Sequence, residues 1–343
     1  MTIEGQLLKG LPWSSRCADH TQLPPPEILY EDSLPLSDLV IAPSGAACCL
    51  GRRPHHATVL VWPDGIPGPV ERWAGGTTLN LSQVIGFDGR RVLAVSETEV
   101  WSIDSTSKTV MWEWKDGITA PRLNPNGPEV LWRDRRNRDQ LVIAGTKAKP
   151  VHRLRLANEC VRAGWNSRGD VVTVERAERA DGRSETCVSE YSSDGNAVAP
   201  LLVTSRAIYG MAAGIVSETV YLAARGVVEG AVPNEIELGS ADGTRLEGLW
   251  ALHLRAPRAA TFLADELPTE IVPSEDGSCV FIGAAKRGVT TVSRVEVDGT
   301  WKRAQVAAII RAFALQPGAG AILFARSGEQ GAIQRVALDF SVA

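Results

Sequence analysis

Residues 82–95 read SQVIGFDGRRVLAV: a short apolar run, a Phe-Asp-Gly turn, and a second apolar run rich in Val and Leu. Apolar stretches this short, bounded by turn residues, read as β-strands, with the glycine supplying a backbone conformation that other residues resist. The same unit recurs as LVIAPSGAACCL (39–50), PRLNPNGPEVLW (121–132), AGWNSRGDVVTVE (163–175), YGMAAGIVSETVYLA (209–223), EIVPSEDGSCVFIGA (270–284) and FALQPGAGAILFA (313–325). The marker glycines Gly45, Gly89, Gly127, Gly169, Gly214, Gly277 and Gly318 are spaced 44, 38, 42, 45, 63 and 41 residues apart. A strand-bearing repeat of about 40–50 residues is the signature of propeller blades, four-stranded antiparallel sheets set around an axis.

Within the second unit, four strand candidates follow one another: VIGF, RRVLAVS, EVWSID and TVMWEWK, separated by turn chemistry. The expected fold is therefore all-β, a seven-bladed β-propeller, with eight blades as the alternative. The expected domain spans 27–343, with blades near 38–76, 79–117, 118–156, 157–203, 204–255, 268–305 and 306–340, after an N-terminal extension over 1–26. The excess length before Gly277 is assigned to residues 249–270, read as a long outer loop, a helical turn between blades or part of an unrecognised blade. The last repeat supplies three strands, so the segment 27–32, beginning EILY, is expected to complete the final sheet and close the ring. An unclosed ring would expose a strand edge.

The turn-and-strand segments APSG, GFDG, NPNG and PSEDG resemble the repeated element of TolB-like and WD40-like propellers, over residues 38–339. The Gly-His and Trp-Asp dipeptides of WD40 blades do not occur. The resemblance implies fold and carries no activity with it.

Lys and Arg number 36 against 40 Asp and Glu, a net charge of -4, which excludes a whole-surface attraction to nucleic acid or anionic lipid. The opening residues show no basic segment followed by an apolar one, and no apolar run reaches the length of a membrane span. Cysteines 17, 48, 49, 160, 187 and 279 form no CxxC pair, so reduced thiols and a cytoplasmic location are expected. Hydrolase-elbow, zincin, Walker and dinucleotide fingerprints are absent. No cofactor is expected.

Three features compete as sites. His55 and His56 are adjacent, so on a strand they would point to opposite faces, and no metal role is expected. The tryptophans at 62, 101, 112, 114, 132, 165, 250 and 301 lie in or beside apolar strands and are read as filling between blades, with Trp13 apart in the extension. The most asymmetric stretch runs from Arg133 to Arg162, with nine basic residues and three acids. Its WRDRRNRD segment would place Arg133, Arg135, Arg136 and Arg138 on a loop between the second and third strands of the third blade. Such a loop is either solvated surface or a grip for carboxylates on an acidic protein partner. Nucleic acid and membrane are not expected partners.

The leading functional expectation is a non-catalytic scaffold presenting loops to a protein partner. The alternatives are an enzyme, such as a lactonase-like hydrolase or a lyase, acting on a small molecule at the mouth of the central channel, and a ligand sensor without turnover. A channel with converging Arg, His, Asp or Glu side chains would favour the small-molecule readings; a plugged channel with an apolar rim would favour the scaffold.

Overall fold

A computed structural model describes residues 26–337, except 54, 74–78, 146–149, 179, 181–183, 193–196, 205, 215–216, 228–246, 255–258, 265–266, 275, 287–288, 297–300, 307–309, 317–320 and 327–330. After β1 (Glu27–Asp32), the first blade is β2 (Leu36–Ile41), β3 (Ala47–Arg53), β4 (His56–Trp62) and β5 (Glu71–Trp73). The second is β6 (Gln83–Phe87), β7 (Val92–Val95), β8 (Glu99–Ile103) and β9 (Lys108–Glu113). The third is β10 (Ile118–Leu123), β11 (Val130–Asp134), β12 (Gln140–Ala144) and β13 (Pro150–Arg155). The fourth is β14 (Glu159–Trp165), β15 (Val171–Glu178), β16 (Ser184–Tyr191) and β17 (Ala197–Thr204). The fifth is β18 (Arg206–Ala213), β19 (Thr219–Val227), β20 (Gly248–His253) and β21 (Ala259–Ala264). The sixth is β22 (Glu270–Pro273), β23 (Cys279–Lys286), β24 (Val289–Glu296) and β25 (Trp301–Val306). The last joins β26 (Ile310–Gln316), β27 (Ala321–Arg326) and β28 (Gly331–Ala337) to β1.

Among the described residues these strands pair into seven four-stranded antiparallel sheets. The first strands β2, β6, β10, β14, β18, β22 and β26 each touch the next, and β26 touches β2, so they line the axis of a closed ring. The protein is an all-β propeller.

One boundary expectation is corrected. Residues 249–270 are not an inter-blade insertion: they carry most of β20 and all of β21, the outer strands of the fifth blade, which runs to Ala264 and not to 255. The extra length lies upstream, between Val227 at the end of β19 and Gly248 at the start of β20. Spacing between marker glycines measured the excess but could not say which connection held it.

The cores lie between blades because alternation sends successive side chains of one strand to opposite faces. Cys48 and Leu50 pack with Val84, Val92 and Ile103 of the second blade, while Cys49, Leu60 and Trp62 pack with Ala325 and Ile333 of the last. Both faces of each blade are covered, so its strands read as continuous apolar runs. Trp62, Trp73, Trp112, Trp114, Trp132, Trp165 and Trp250 are buried, and Trp101 packs half-buried against the first of these cores. Trp114 meets Trp132 edge to face with ring centroids 5.9 Å apart. Trp13 and the side chain of Trp301 lie outside the described residues.

The marker glycines other than Gly318, which lies outside the described residues, sit in the turns between first and second strands. Gly45, Gly89, Gly169 and Gly277 have φ of 87°, 90°, 84° and 72°, the left-handed region that glycine enters without penalty. At the other end of the chain path, β1 pairs with β28 from Glu27↔Arg335 to Asp32↔Gly331. Buried Asp32 accepts bonds from the Tyr30 hydroxyl at 2.5 Å, Arg72 of β5 at 2.6 Å and the Leu34 amide at 3.0 Å, tying the last blade to the first. Among the described residues no helix is long and apolar enough to cross a membrane.

Candidate functional site

Six of the seven axial strands break register with their neighbours: between Ser37 and Val40, Val84 and Gly86, Thr119 and Arg122, Cys160 and Arg162, Ile208 and Gly210, and Ile310 and Ala312. A bulge turns the extra residue out of the ladder and re-aims the side chains beside it. Two bulges hold non-glycine residues at positive φ, Asp38 at 57° and Ala120 at 50°. That region costs a residue with a Cβ roughly 1–2 kcal/mol. Backbone held there against its preference marks positions where the fold serves something besides packing.

On the axial strands stand charged residues of the channel wall. Arg122 of β10 donates to the Pro121 carbonyl at 2.9 Å, and the Trp165 indole, from the next blade, fixes the Arg122 carbonyl at 3.2 Å. Arg162 of β14 donates to the carbonyls of Val161 at 2.9 Å and Tyr209 of β18 at 3.0 Å. Glu270 opens β22, held in place by Thr269, whose amide and hydroxyl both donate to the Gly283 carbonyl, at 2.7 and 2.9 Å. Asp38 of β2 pairs with Arg52 at 2.8 Å, and Arg52 also donates to the Ser37 hydroxyl at 2.6 Å.

Arg122 and Glu270 lie within each other's electrostatic reach. Desolvation pulls the Arg122 guanidinium below its ordinary value; the Glu270 carboxylate opposes that fall and Arg162 adds to it. Burial pushes the Glu270 carboxyl up, with Arg122 opposing and Asp38 adding. Arg122 belongs to the third blade and Glu270 to the sixth, which do not neighbour each other around the ring. Arg122, Arg162 and Glu270 are all reached by water. Chemically, the wall can fix an anionic group at two adjacent guanidiniums and can hold or release a proton at a carboxyl whose affinity for it is raised.

The arginine loop sits elsewhere. Arg133 closes β11 and donates to the Cys160 carbonyl at 2.8 Å. Arg135 pairs with Glu97 of the second blade, Arg136 with Asp116 at 2.9 Å, and Arg138 with Glu159 of the fourth blade at 2.8 Å. The structure thus brings Arg135, Arg136 and Arg138 together on one loop, 62%, 74% and 71% exposed, and gives each an acid from a flanking element. Buried Asp134 shapes the loop, accepting from the Arg136 and Asn137 amides at 2.8 and 2.9 Å and from the Trp114 indole at 3.1 Å.

His55, at φ 67°, occupies the turn between β3 and β4, and His56 begins β4. Among the described residues no three His, Cys, Asp or Glu side chains gather to hold a metal. An open depression of about 450 Å³ lies at the start of β2, lined by Ser33, Leu34, Pro35, Arg52 and Arg53. Its chemistry is thin, because Arg52 is already paired to Asp38. The axial wall, with its uncommitted charges, is the stronger site.

Solved structures were compared with this geometry. A chain of hydrazine synthase from Kuenenia stuttgartiensis superposes with a TM-score of 0.63 at 11% identity, over 95% of this chain and all of that one. Virginiamycin B lyase from Staphylococcus aureus gives 0.58 at 9% identity, covering 91% and 98%. The WD40 domain of Toxoplasma gondii coronin gives 0.55 at 9% identity, covering 93% and 88%. The shared property is the propeller fold. Two of these neighbours are named as enzymes and one as a WD40 domain, and at such identities none passes its function to this chain. No family model matches the chain, and no curated protein does.

Sequence reasoning missed Arg122, Arg162, Glu270 and Asp38. A usable signal was present: each is a charged residue within or opening the first strand of a repeat, where the surrounding residues are mostly apolar.

Proposed function

We propose that the protein binds a small charged molecule in the axial channel of its propeller, as either an enzyme or a sensor. The observation that carries this reading is the placing of Arg122, Arg162 and Glu270 on axial strands, reached by water and without ion-pair partners among the described residues, with burial weighing on the charges of Arg122 and Glu270. Partly desolvated charges left unpaired weaken a fold unless a ligand completes them.

The test is a thermal-shift screen of the full chain against a library of small metabolites, repeated with an Arg122→Met, Arg162→Met double variant. Ligands that raise the melting temperature of the wild type and leave the double variant unmoved support channel binding. Hits that survive in the double variant, or a screen without hits, overturn it. Mass spectrometry of each bound metabolite after incubation then separates turnover from sensing.

The scaffold remains the second reading, supported by the exposure of Arg135, Arg136 and Arg138 on one loop. An acidic protein partner would bind there by exchanging its carboxylates for those of Glu97, Asp116 and Glu159. Affinity purification from the native host, with and without a triple Arg→Gln substitution at 135, 136 and 138, tests it. A stoichiometric companion lost from the triple variant is the supporting result.

A further inference from the structure

The depression at the start of β2 is lined by Ser33, Leu34, Pro35, Arg52 and Arg53, and by none of Arg122, Arg162 and Glu270. It holds no acid–base pair for catalysis, but binding asks for less: an apolar floor and a free charge. Ser33, Leu34 and Pro35 link β1, the closing strand of the last blade, to β2 of the first. A side chain added at Gly331 of β28 would strike the Leu34 carbonyl oxygen, so this floor rests directly on the last blade.

The two arginines differ in what they have left to give. Arg52 donates from Nε to the Ser37 hydroxyl at 2.6 Å and from Nη2 to Asp38 at 2.8 Å and the Ser82 carbonyl at 2.5 Å. A guanidinium carries five N–H donors in a fixed fork, so the pair on Nη1 is unspent among the described residues, on a side chain already held in place. Arg53, at the end of β3, is exposed and makes no side-chain hydrogen bond or ion pair among the described residues.

The acids nearby are committed. Asp38 pairs with Arg52, and Asp32, next to Ser33, pairs with Arg72 at 2.6 Å. The turn after Arg53 brings His55 and His56 and no acid. Arg326 and Glu329, at and after the end of β27, carry opposite charges, and their side chains lie outside the described residues. What the described residues leave uncompensated is the positive charge of Arg53.

We propose that this depression is a second binding site, for a small monocarboxylate with an apolar body. The carboxylate is held by Arg53 and by Nη1 of Arg52, and the apolar body lies on Leu34 and Pro35. Guanidinium forks match carboxylates two bonds at a time, and a cation of the same shape would set like charge against Arg53. The volume of about 450 Å³ falls in the range of roughly 300–1,000 Å³ that small-molecule sites occupy. Arg52 is fixed before any ligand arrives, so little ordering opposes binding on that side.

Saturation-transfer difference NMR on the full chain tests the assignment with three probes: hexanoate, acetate and hexylammonium. Each is titrated against the wild type, Arg53→Gln and, as a control at the opposite end of a blade, Arg90→Gln. Hexanoate should bind the wild type at least about tenfold more tightly than acetate, which lacks the apolar body, and than hexylammonium, which has the wrong charge. Arg53→Gln should weaken hexanoate by about the same factor, and Arg90→Gln should leave it unchanged. Arg53 makes no side-chain contact that its loss would break, and an unshifted melting temperature establishes that the variant is folded.

The proposal is overturned if hexanoate does not bind, if acetate or hexylammonium binds as tightly, or if Arg53→Gln leaves hexanoate binding intact. Any of these outcomes leaves the channel to its own screen. A hit in that screen that Arg53→Gln abolishes belongs to the depression and does not count for or against the channel.

Discussion

The arginine loop after β11 and the channel wall formed by β10, β14 and β22 use the same side chains to opposite ends. On the loop, Arg135, Arg136 and Arg138 are widely exposed and each meets an acid from a neighbouring element. In the channel, burial weighs on the charges of Arg122 and Glu270, and these two and Arg162 are left without ion pairs among the described residues. Exposed pairs of this kind contribute little to stability because water screens them and two long side chains must be ordered. Partly desolvated charges without partners work against stability, which is the ground for proposing that the channel binds a ligand. Abundance of charge therefore points to the loop, and the state of the charge points to the channel.

The sharpest test of that contrast is an acid on the loop that is not exposed. Asp134 is buried and accepts three hydrogen bonds, so Asp134→Ala should destabilise the protein by about 3 kcal/mol in urea unfolding. Arg122→Met should instead leave stability unchanged or raise it. If Arg122→Met were as damaging as Asp134→Ala, the channel charges would be structural and the contrast would collapse.

Asp32 at the seam between the last and first blades should come next. Its Ala variant loses bonds from Tyr30, Arg72 and the Leu34 amide, for about 2 kcal/mol. Burial works to raise the Asp32 carboxyl, but hydrogen bonds from Tyr30 and Leu34 and the Arg72 charge outweigh it and hold it below its ordinary value. A lowered folded-state value means that this contribution is present above the unfolded carboxyl range and is lost as pH falls through the folded value. The melting difference between wild type and Asp32→Ala should therefore narrow in acid.

Glu270 should show the opposite sign. Burial raises its folded-state value, so the folded protein is penalised as pH rises through that value and not below the unfolded one. Glu270→Gln should melt above the wild type at pH 8, with the difference fading near pH 4. A lower melting point for Glu270→Gln at pH 8 would mean that the carboxylate is stabilising and the channel wall is self-sufficient.

The smallest effects belong to the loop surface. Arg135→Gln, Arg136→Gln and Arg138→Gln should each change stability by roughly 0–1 kcal/mol, less at high salt. A larger loss at any of them would make the loop pairs a structural seam between blades.

Much of the fold was legible because it is written locally. A Gly turn between two apolar runs announces itself within a dozen residues, and its recurrence in APSG, GFDG and PSEDG needs only counting. The segment 249–270 was misread because an interval between glycines cannot say which connection is long. WRDRRNRD was conspicuous because its charges are contiguous, and contiguity is a property of loops. Arg122 and Glu270 are each the single charged residue of a strand, Arg162 shares its strand with Glu159 alone, and the three lie 40 and 108 residues apart along the chain.

By itself, then, the sequence determined the all-β class, the repeating four-stranded unit and the need for β1 to complete the final sheet, since strand propensity, turn chemistry and period are short-range properties. Only the tertiary structure decided which charges share a space. Closing the ring brings the first strand of every blade to one axis, and bulges in six of those strands turn their side chains away from the ladder. That juxtaposition depends on long-range geometry, and no local stretch of the chain encodes it.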